Sequence, residues 1–345
     1  MKQIFVVISN AIAGIETYEN NLIKLLINKK KKIHLIVNKN RSINHKTEYK
    51  FETLHFCDAI REPLKVFKYI YKIKKKIINE QIIFIINNPV ILVFYFLILK
   101  LLFKNKKIIF TKHSHITKIS LFQITINLIS SFLSNFIDKT IFVSEFTRDW
   151  WFKYFFLYRF SKNTVIHNFI YIPKNKKQIK STDNFNIGFI GRIEEEKGYS
   201  RFLEIAKKIK NSKLKFLIYG NTQPQKGSNR YFKFCGWKNQ KNIYKNINLL
   251  LVTSPIENCP FTVLESKSYS IPTLSISKGG IREIIKNKKD GILLNNEASI
   301  ENIEKNIMHI KNNYKFFSKN CHNNSKRFDI KVLEKKICTS FSILK

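Results

Sequence analysis

At 345 residues with 44% hydrophobic side chains, the chain is long enough for two domains, each with its own core, and its evenly spread apolar content excludes an intrinsically disordered protein. Its formal charge of +38, from 62 Lys plus Arg against 24 Asp plus Glu, predicts attraction to phosphorylated substrates, an anionic membrane surface or nucleic acid. The joint richness in Lys, Asn, Ile and Phe has a second reading, the composition bias of A+T-rich coding sequence.

Gln3–Ser9 is a continuous apolar run bounded by polar residues, the pattern of a strand buried on both faces. The run is too short for a secretory leader ending at Ala11-Ile12-Ala13. A small-residue loop, Asn10–Gly14, leads to a predicted helix from Glu16 to Lys29, with Tyr18, Leu22, Leu25 and Leu26 on its inner face. Further strands are expected at Ile33–Val37, Ile82–Ile86, Lys107–Thr111 and Thr140–Val143, with helical stretches between them. The most apolar segment, Ile82–Phe103, is interrupted by Asn87, Asn88 and Pro89, so a strand and then a buried helix Val90–Phe103 is expected; an interfacial helix is the alternative. After Asn168 the chain becomes Lys-rich and polar, with Pro173, and 171–184 reads as a linker.

A second series of alternating strands and helices follows. Strands are predicted at Phe185–Ile190, Lys215–Tyr219, Asn248–Thr253, Thr273–Ser275 and Ile292–Leu294, and helices at Tyr199–Lys210 and from Pro260. Ile300–Lys345 reads as helical throughout. The expected organisation is α/β: a Rossmann-like domain over 1–170, a second over 185–325, and a C-terminal helix over 326–345 packing back on the first. Five dispersed cysteines, Cys57, Cys235, Cys259, Cys321 and Cys338, predict unpaired thiols in a reducing compartment.

In open α/β sheets ligands sit at the carboxyl ends of the strands, and four loops there carry unusual residues. Gly188-Phe-Ile-Gly-Arg-Ile-Glu-Glu-Glu-Lys-Gly198 delivers Arg192 and Lys197 past a strand end, where a guanidinium and an ammonium suit a diphosphate; in so basic a chain they also read as solvated surface charges. In Glu257-Asn-Cys-Pro-Phe-Thr-Val-Leu-Glu265, Pro260 fits a first helical position, and the amides of Phe261, Thr262 and Val263 form a helix start suited to phosphate. Glu257 and Glu265 either face one ligand or serve as a cap and an exposed side chain. Ser277-Lys-Gly-Gly-Ile-Arg-Glu283 with Asp290-Gly291, and Asn10-Ala-Ile-Ala-Gly-Ile-Glu16, are glycine-bearing loops that each also read as plain turns. The Asn10–Glu16 loop is neither a dinucleotide fingerprint nor a Walker loop.

In order and at consistent spacing, these elements resemble the retaining family 4 glycosyltransferases (glycosyltransferase group 1), which have the GT-B fold of two Rossmann-like domains facing across a cleft. The resemblance is clear from Ile187 to Leu294. It rests on Glu257 and Glu265, on Gly191, Arg192, Lys197 and Gly198, and on Gly279, Gly280 and Glu283 with Asp290-Gly291. Ala13-Gly14-Ile15-Glu16 is similar to the family's Gly-Gly-x-Glu loop, with Ala for the first Gly. Phe142-Val-Ser-Glu145 and Val165-Ile-His-Asn168 match more loosely. His113 falls where the family often has an active-site histidine; His115 competes for that role.

The resemblance implies a nucleoside diphosphate sugar as donor, a glycan or lipid-linked acceptor, retention of anomeric configuration, and cell-envelope polysaccharide or lipopolysaccharide synthesis as the setting. Arg192 and Lys197 would hold the diphosphate, aided by Gly14, Gly191 and the helix start at Phe261–Val263. Glu265 would bind the ribose hydroxyls, and Glu257 the transferred sugar. No cofactor is expected, and no metal, since the Asp-x-Asp element of metal-dependent transferases is missing from the sequence. The protein is expected in the cytoplasm, peripheral to the inner membrane face. Another GT-B sugar-nucleotide activity, such as an epimerase or phosphorylase, is the runner-up. A nucleic-acid-binding protein is disfavoured, because the aromatic residues sit within apolar runs rather than among basic ones.

Overall fold

The computed structural model describes residues 2–10, 13–38, 51–77, 79–116, 120–173, 185–220 and 232–344. The chain forms two compact units, one of Met1–Phe169 with Leu333–Lys345 and one of Ile170–Val332. Of the sequence-predicted linker, 174–184 lies outside the described residues, as do Ala11 and Ile12 of the first loop.

The first unit is built on a parallel sheet in the order β3-β2-β1-β4-β5-β6-β7. Its elements are β1 (Gln3–Ser9), α1 (Gly14–Asn28), β2 (Lys32–Val37), β3 (Thr53–Phe56), α2 (Pro63–Lys75), β4 (Gln81–Ile86), α3 (Pro89–Leu102), β5 (Lys106–Lys112), α4 (Leu121–Leu133), β6 (Lys139–Phe142), α5 (Glu145–Tyr154) and β7 (Asn163–Val165). β1 is wholly buried between β2 and β4, as an unbroken apolar run requires. The Asn-Pro break after β4 is a helix start: Asn88 caps α3, its side chain accepting from the Val90 amide at 2.8 Å, and Pro89 occupies the first turn.

The second unit has a parallel sheet in the order β10-β9-β8-β11-β12-β13. Its elements are β8 (Phe185–Ile190), α6 (Tyr199–Lys208), β9 (Leu214–Tyr219), β10 (Phe232–Phe234), α7 (Gln240–Asn246), β11 (Leu249–Val252), α8 (Phe261–Ser268), β12 (Thr273–Ser275), α9 (Ile281–Ile284), β13 (Gly291–Leu293), α10 (Ile300–Asn312) and α11 (Tyr314–Ser325). A last helix, α12 (Ile330–Ser340), follows a 3-10 turn at Lys326–Phe328. The C-terminal stretch is therefore three helices with breaks rather than one continuous helix. Pro260 caps α8 from outside instead of occupying its first turn.

From Leu333 onward the chain belongs to the first unit. There the Gln3 side chain donates to the Ser342 carbonyl at 2.7 Å and accepts from the Leu344 amide at 2.8 Å. Glu334 pairs with Lys29. All five cysteines are free thiols. No helix among the described residues is long and apolar enough to cross a membrane.

Candidate functional site

β8 and β11 are neighbours in the second sheet although β9 and β10 intervene in sequence. The chain leaves β8 toward one edge of the sheet and β11 toward the other, which opens a crevice for ligand at their carboxyl ends. The Gly191 amide donates to the Tyr219 carbonyl at 3.0 Å and so extends the β8 ladder. Arg192 follows, its guanidinium 2.6 Å from Glu194 and 3.5 Å from Glu196 of the same loop. Such surface pairs are worth about 0–1 kcal/mol, so a diphosphate can displace them.

A 3-10 turn, Glu195–Lys197, ends at Gly198, whose φ of 69° and ψ of 32° lie in the left-handed region. A Cβ there would stand 2.0 Å from the Thr253 carbonyl oxygen, and the Thr253 hydroxyl donates to the Gly198 carbonyl at 2.7 Å. Glycine thus lets the loop after β8 lie directly on the end of β11. One consequence is that Lys197 Nζ donates to Glu257 Oε1 at 2.7 Å. Ser254 Oγ donates to the same oxygen at 2.9 Å and lies 3.1 Å from Ser277 Oγ. The Glu257 amide donates to the Lys278 carbonyl at 3.0 Å. Loops from β8, β11 and β12 therefore converge on Glu257, which is buried and whose Oε2 takes no donor from the described residues.

α8 begins beside this cluster with no side-chain cap, leaving its first amides open to an anion. The Val263 amide is spent on the Pro260 carbonyl at 3.2 Å, so of the three predicted donors Phe261 and Thr262 stand at the helix mouth. Glu265 is half-buried on the next turn. The Tyr244 hydroxyl donates to its Oε2 at 2.9 Å. Burial raises the Glu265 carboxyl above the usual range, against the lowering effect of hydrogen bonds from Gln240 and Tyr244.

Asp290 does not join this group. It is fully buried, 2.9 Å from Lys267 Nζ, and accepts from the Lys286 amide at 2.9 Å and from Asn324. It holds α8, α11 and the loop before β13 together. The glycine pair serves the loop after β12, where Gly279 has a φ of 96°.

In the first unit, Gly14 opens α1 at the end of β1, and His113 follows the end of β5. Ala13, before Gly14, has φ 50° and ψ −119°, a conformation that glycine adopts far more readily. The His113 ring stands edge-on to Tyr18 of α1, centroids 4.5 Å apart, and its Nε2 lies 3.0 Å from Thr111 Oγ1. Burial lowers its pKa to about 3, so the ring is neutral at pH 7. His115 packs instead near Phe146 and Trp150 of α5. The buried Tyr18 hydroxyl has no partner among the described residues. Sequence reading placed Tyr18 in the core and missed Ser254, Thr111 and Tyr244, which carry no motif; Ser277 stood inside a recognised loop.

The Glycosyltransferase Family 4 model matches residues 12–172, and the Glycosyl transferases group 1 model matches 172–328. A curated relative, an "Uncharacterized 41.2 kDa protein in cps region" of Klebsiella pneumoniae, is 25% identical over 136 residues, 38% of each chain; the match thus spans well under half of that relative's length. Among solved structures, sucrose-phosphate synthase from Thermosynechococcus elongatus aligns with a TM-score of 0.79 at 12% identity, covering 99% of this chain and 98% of the other. Anabaena Alr3699/HepE in complex with UDP aligns at 0.77 and 16%, covering all of both chains. With both halves matched in order, and two parallel sheets of the same design, the chain belongs to the family 4 glycosyltransferases and has their two-domain GT-B fold.

Proposed function

We propose that the protein transfers a hexose-type sugar, with retention of anomeric configuration, from a nucleoside diphosphate donor to a glycan or lipid-linked acceptor. The observation that carries this reading is the convergence of Lys197, Ser254 and Glu257 beside the uncapped start of α8, at the crevice between β8 and β11. Arg192, Lys197 and the amides of Phe261 and Thr262 supply positive charge to the diphosphate and stabilise it as it leaves. Glu265, oriented by Tyr244, takes the ribose hydroxyls.

Glu257, with Oε2 open, accepts hydroxyls of the transferred sugar while Lys197 and Ser254 fix its rotamer. The φ of Gly191 lies outside the left-handed range, and a Cβ there would meet nothing closer than 3.7 Å; we assign its missing side chain to close approach of the donor. Gly14 and His113 are assigned to the same reaction, His113 as a neutral hydrogen-bonding group near the transferred sugar.

A uridine base is supported by the similar fold that carries UDP, and envelope polysaccharide as the setting by the relative from a cps region. We place the reaction in the cytoplasm, at the inner membrane face. Because fixed cations and amides neutralise the diphosphate, activity is expected to persist in excess EDTA; complete loss restored by manganese would contradict this. The assignment is tested by a thermal-shift screen against UDP-, GDP- and ADP-sugars. One donor class should raise the melting temperature, and Glu265→Ala should abolish the shift while keeping a cooperative transition. A shift unchanged in Glu265→Ala removes the ribose assignment, and product analysis with the bound donor separates transfer from epimerisation or phosphorolysis.

A further inference from the structure

Helix α4 is built inside out. Its buried positions include Asn127, Ser130 and Ser131, while Leu121, Phe122, Leu128, Ile129 and Phe132 face outward. The buried polar groups are partnered: Asn127 accepts from Lys112 Nζ at 3.0 Å, and Ser130 meets the Tyr158 hydroxyl at 2.7 Å. The polarity of the inner face is thus a stable feature of the fold, and the outer face is not a surface that has slipped out of the core. Leu121 is 80% exposed and Phe132 52%, where a water-facing helix would carry charge.

The apolar surface does not stop at α4. α3 packs against α4 and shows Phe94, Leu97 and Leu101 outward, which at this spacing form one stripe. On the other side the 3-10 turn Phe156–Phe160 is joined through the Ser130–Tyr158 contact and through Asn135, whose side chain donates to the Leu157 carbonyl at 3.2 Å. It presents Phe156 and Phe160, the latter 72% exposed. A contiguous apolar area of this kind marks an interaction site.

The charge around it selects the partner. α3, α4 and the turn contain no Asp or Glu, and Lys104, Lys153, Arg159 and Lys162 are exposed beside them. A second copy docking on this face would set like charges against one another across a self-complementary contact. An anionic lipid surface supplies the opposite charge and an apolar layer together. α3 is about 21 Å long at ~1.5 Å per residue, short of the ~30 Å hydrocarbon core, so the helices lie on the surface rather than cross it.

We infer that the α3–α4 face and the Phe156–Phe160 turn of the first unit form a membrane-docking surface, inserting Leu and Phe side chains among the acyl chains of an anionic bilayer while Lys104, Lys153, Arg159 and Lys162 engage its headgroups. The inference rests on the proposed placement at the inner membrane face but uses none of the donor-site residues, so it and the transfer assignment fail separately: donor binding is read without lipid, and docking without donor.

The test is flotation of the full chain with phosphatidylcholine vesicles, with and without phosphatidylglycerol. Binding should require the anionic lipid and fall several-fold as salt rises to about 0.5 M. The triple variant Leu128→Ser, Phe132→Ser and Phe160→Ser should bind on the order of tenfold more weakly, with an unchanged circular dichroism spectrum. The pair Lys153→Glu and Arg159→Glu should lose the preference for anionic vesicles. In a gentler arm, Phe132→Trp should add fluorescence that lipids brominated in their acyl chains quench beyond the quenching of the parent tryptophans. Equal binding to neutral vesicles, undiminished binding of the triple variant, or no added quenching overturns the inference. So does a wild-type dimer that binds no lipid and that the triple variant converts to monomer, which makes the face a contact between copies.

Discussion

Gly191 and Gly198 bracket the same loop but owe their place to different forces. Gly198 combines a left-handed backbone with a backbone wall 2.0 Å from any Cβ, so Gly198→Ala should destabilise the protein by roughly 2–4 kcal/mol, read by denaturant unfolding. Gly191 meets neither obstacle. Gly191→Ala should therefore melt like the parent yet bind nucleoside diphosphate on the order of tenfold more weakly. Equal donor affinity in Gly191→Ala would remove the close-approach role. Ala13 shows the reverse case: the sequence puts alanine where the family has glycine, and the structure gives it glycine's torsions, a cost of order 1–3 kcal/mol retained at the helix start.

His113 carries a pH prediction. Its folded pKa of about 3 lies below the unfolded value of ~6.5, so as pH falls through 6.5 the unfolded chain binds the proton first. Stability should then decline from about pH 6.5 downward. His34, also buried and lowered to about 4, adds to the same decline. Denaturation midpoints across this range should fall less steeply in His113→Phe than in the parent; parallel slopes would mean that the ring is solvated.

At the scale of elements, what could be read from the sequence followed burial. β1, β4, β5, β8 and β11 lie inside their sheets and announce themselves as apolar runs. The strands that reading missed, β3, β7 and β10, are all edge strands, short and half-covered, with polar residues such as His55, Asn163 and Lys233 in them. The donor-side loops were legible because their chemistry is local. Tyr244 and Ser254 were not, since only the fold brings them to Glu265 and Glu257.

Asp290, grouped in sequence with the glycine-pair loop, proves to be a strut between elements. Its carboxylate answers the buried Lys267, and removing one member of such a pair leaves a stranded charge. Asp290→Ala should cost about 3–5 kcal/mol in unfolding free energy while a folded fraction keeps the parent's donor affinity. A variant of parent stability that fails to bind donor would return Asp290 to the site.

At the scale of the molecule, each unit carries its own chemistry. The first has an apolar and cationic face and a neutral histidine beside Tyr18, whose hydroxyl has no hydrogen-bond partner among the described residues. The second has the cations, carboxylates and open helix start suited to a nucleotide. The charge of +38 is spread along the chain, and a small part of it, Lys104, Lys153, Arg159 and Lys162, is exposed beside the acid-free helices. Residues 333–345 join the first unit, in part through Gln3, so that unit is built from two separated stretches of the chain.

The most direct test of the donor assignment is the electron density of UDP bound to the protein. The account predicts diphosphate oxygens within hydrogen-bond reach, about 2.7–3.2 Å, of Lys197 and Arg192, near the Phe261 and Thr262 amides, with the ribose hydroxyls on Glu265. Diphosphate bound away from Lys197 and Arg192, or a ribose that leaves Glu265 untouched, would contradict it.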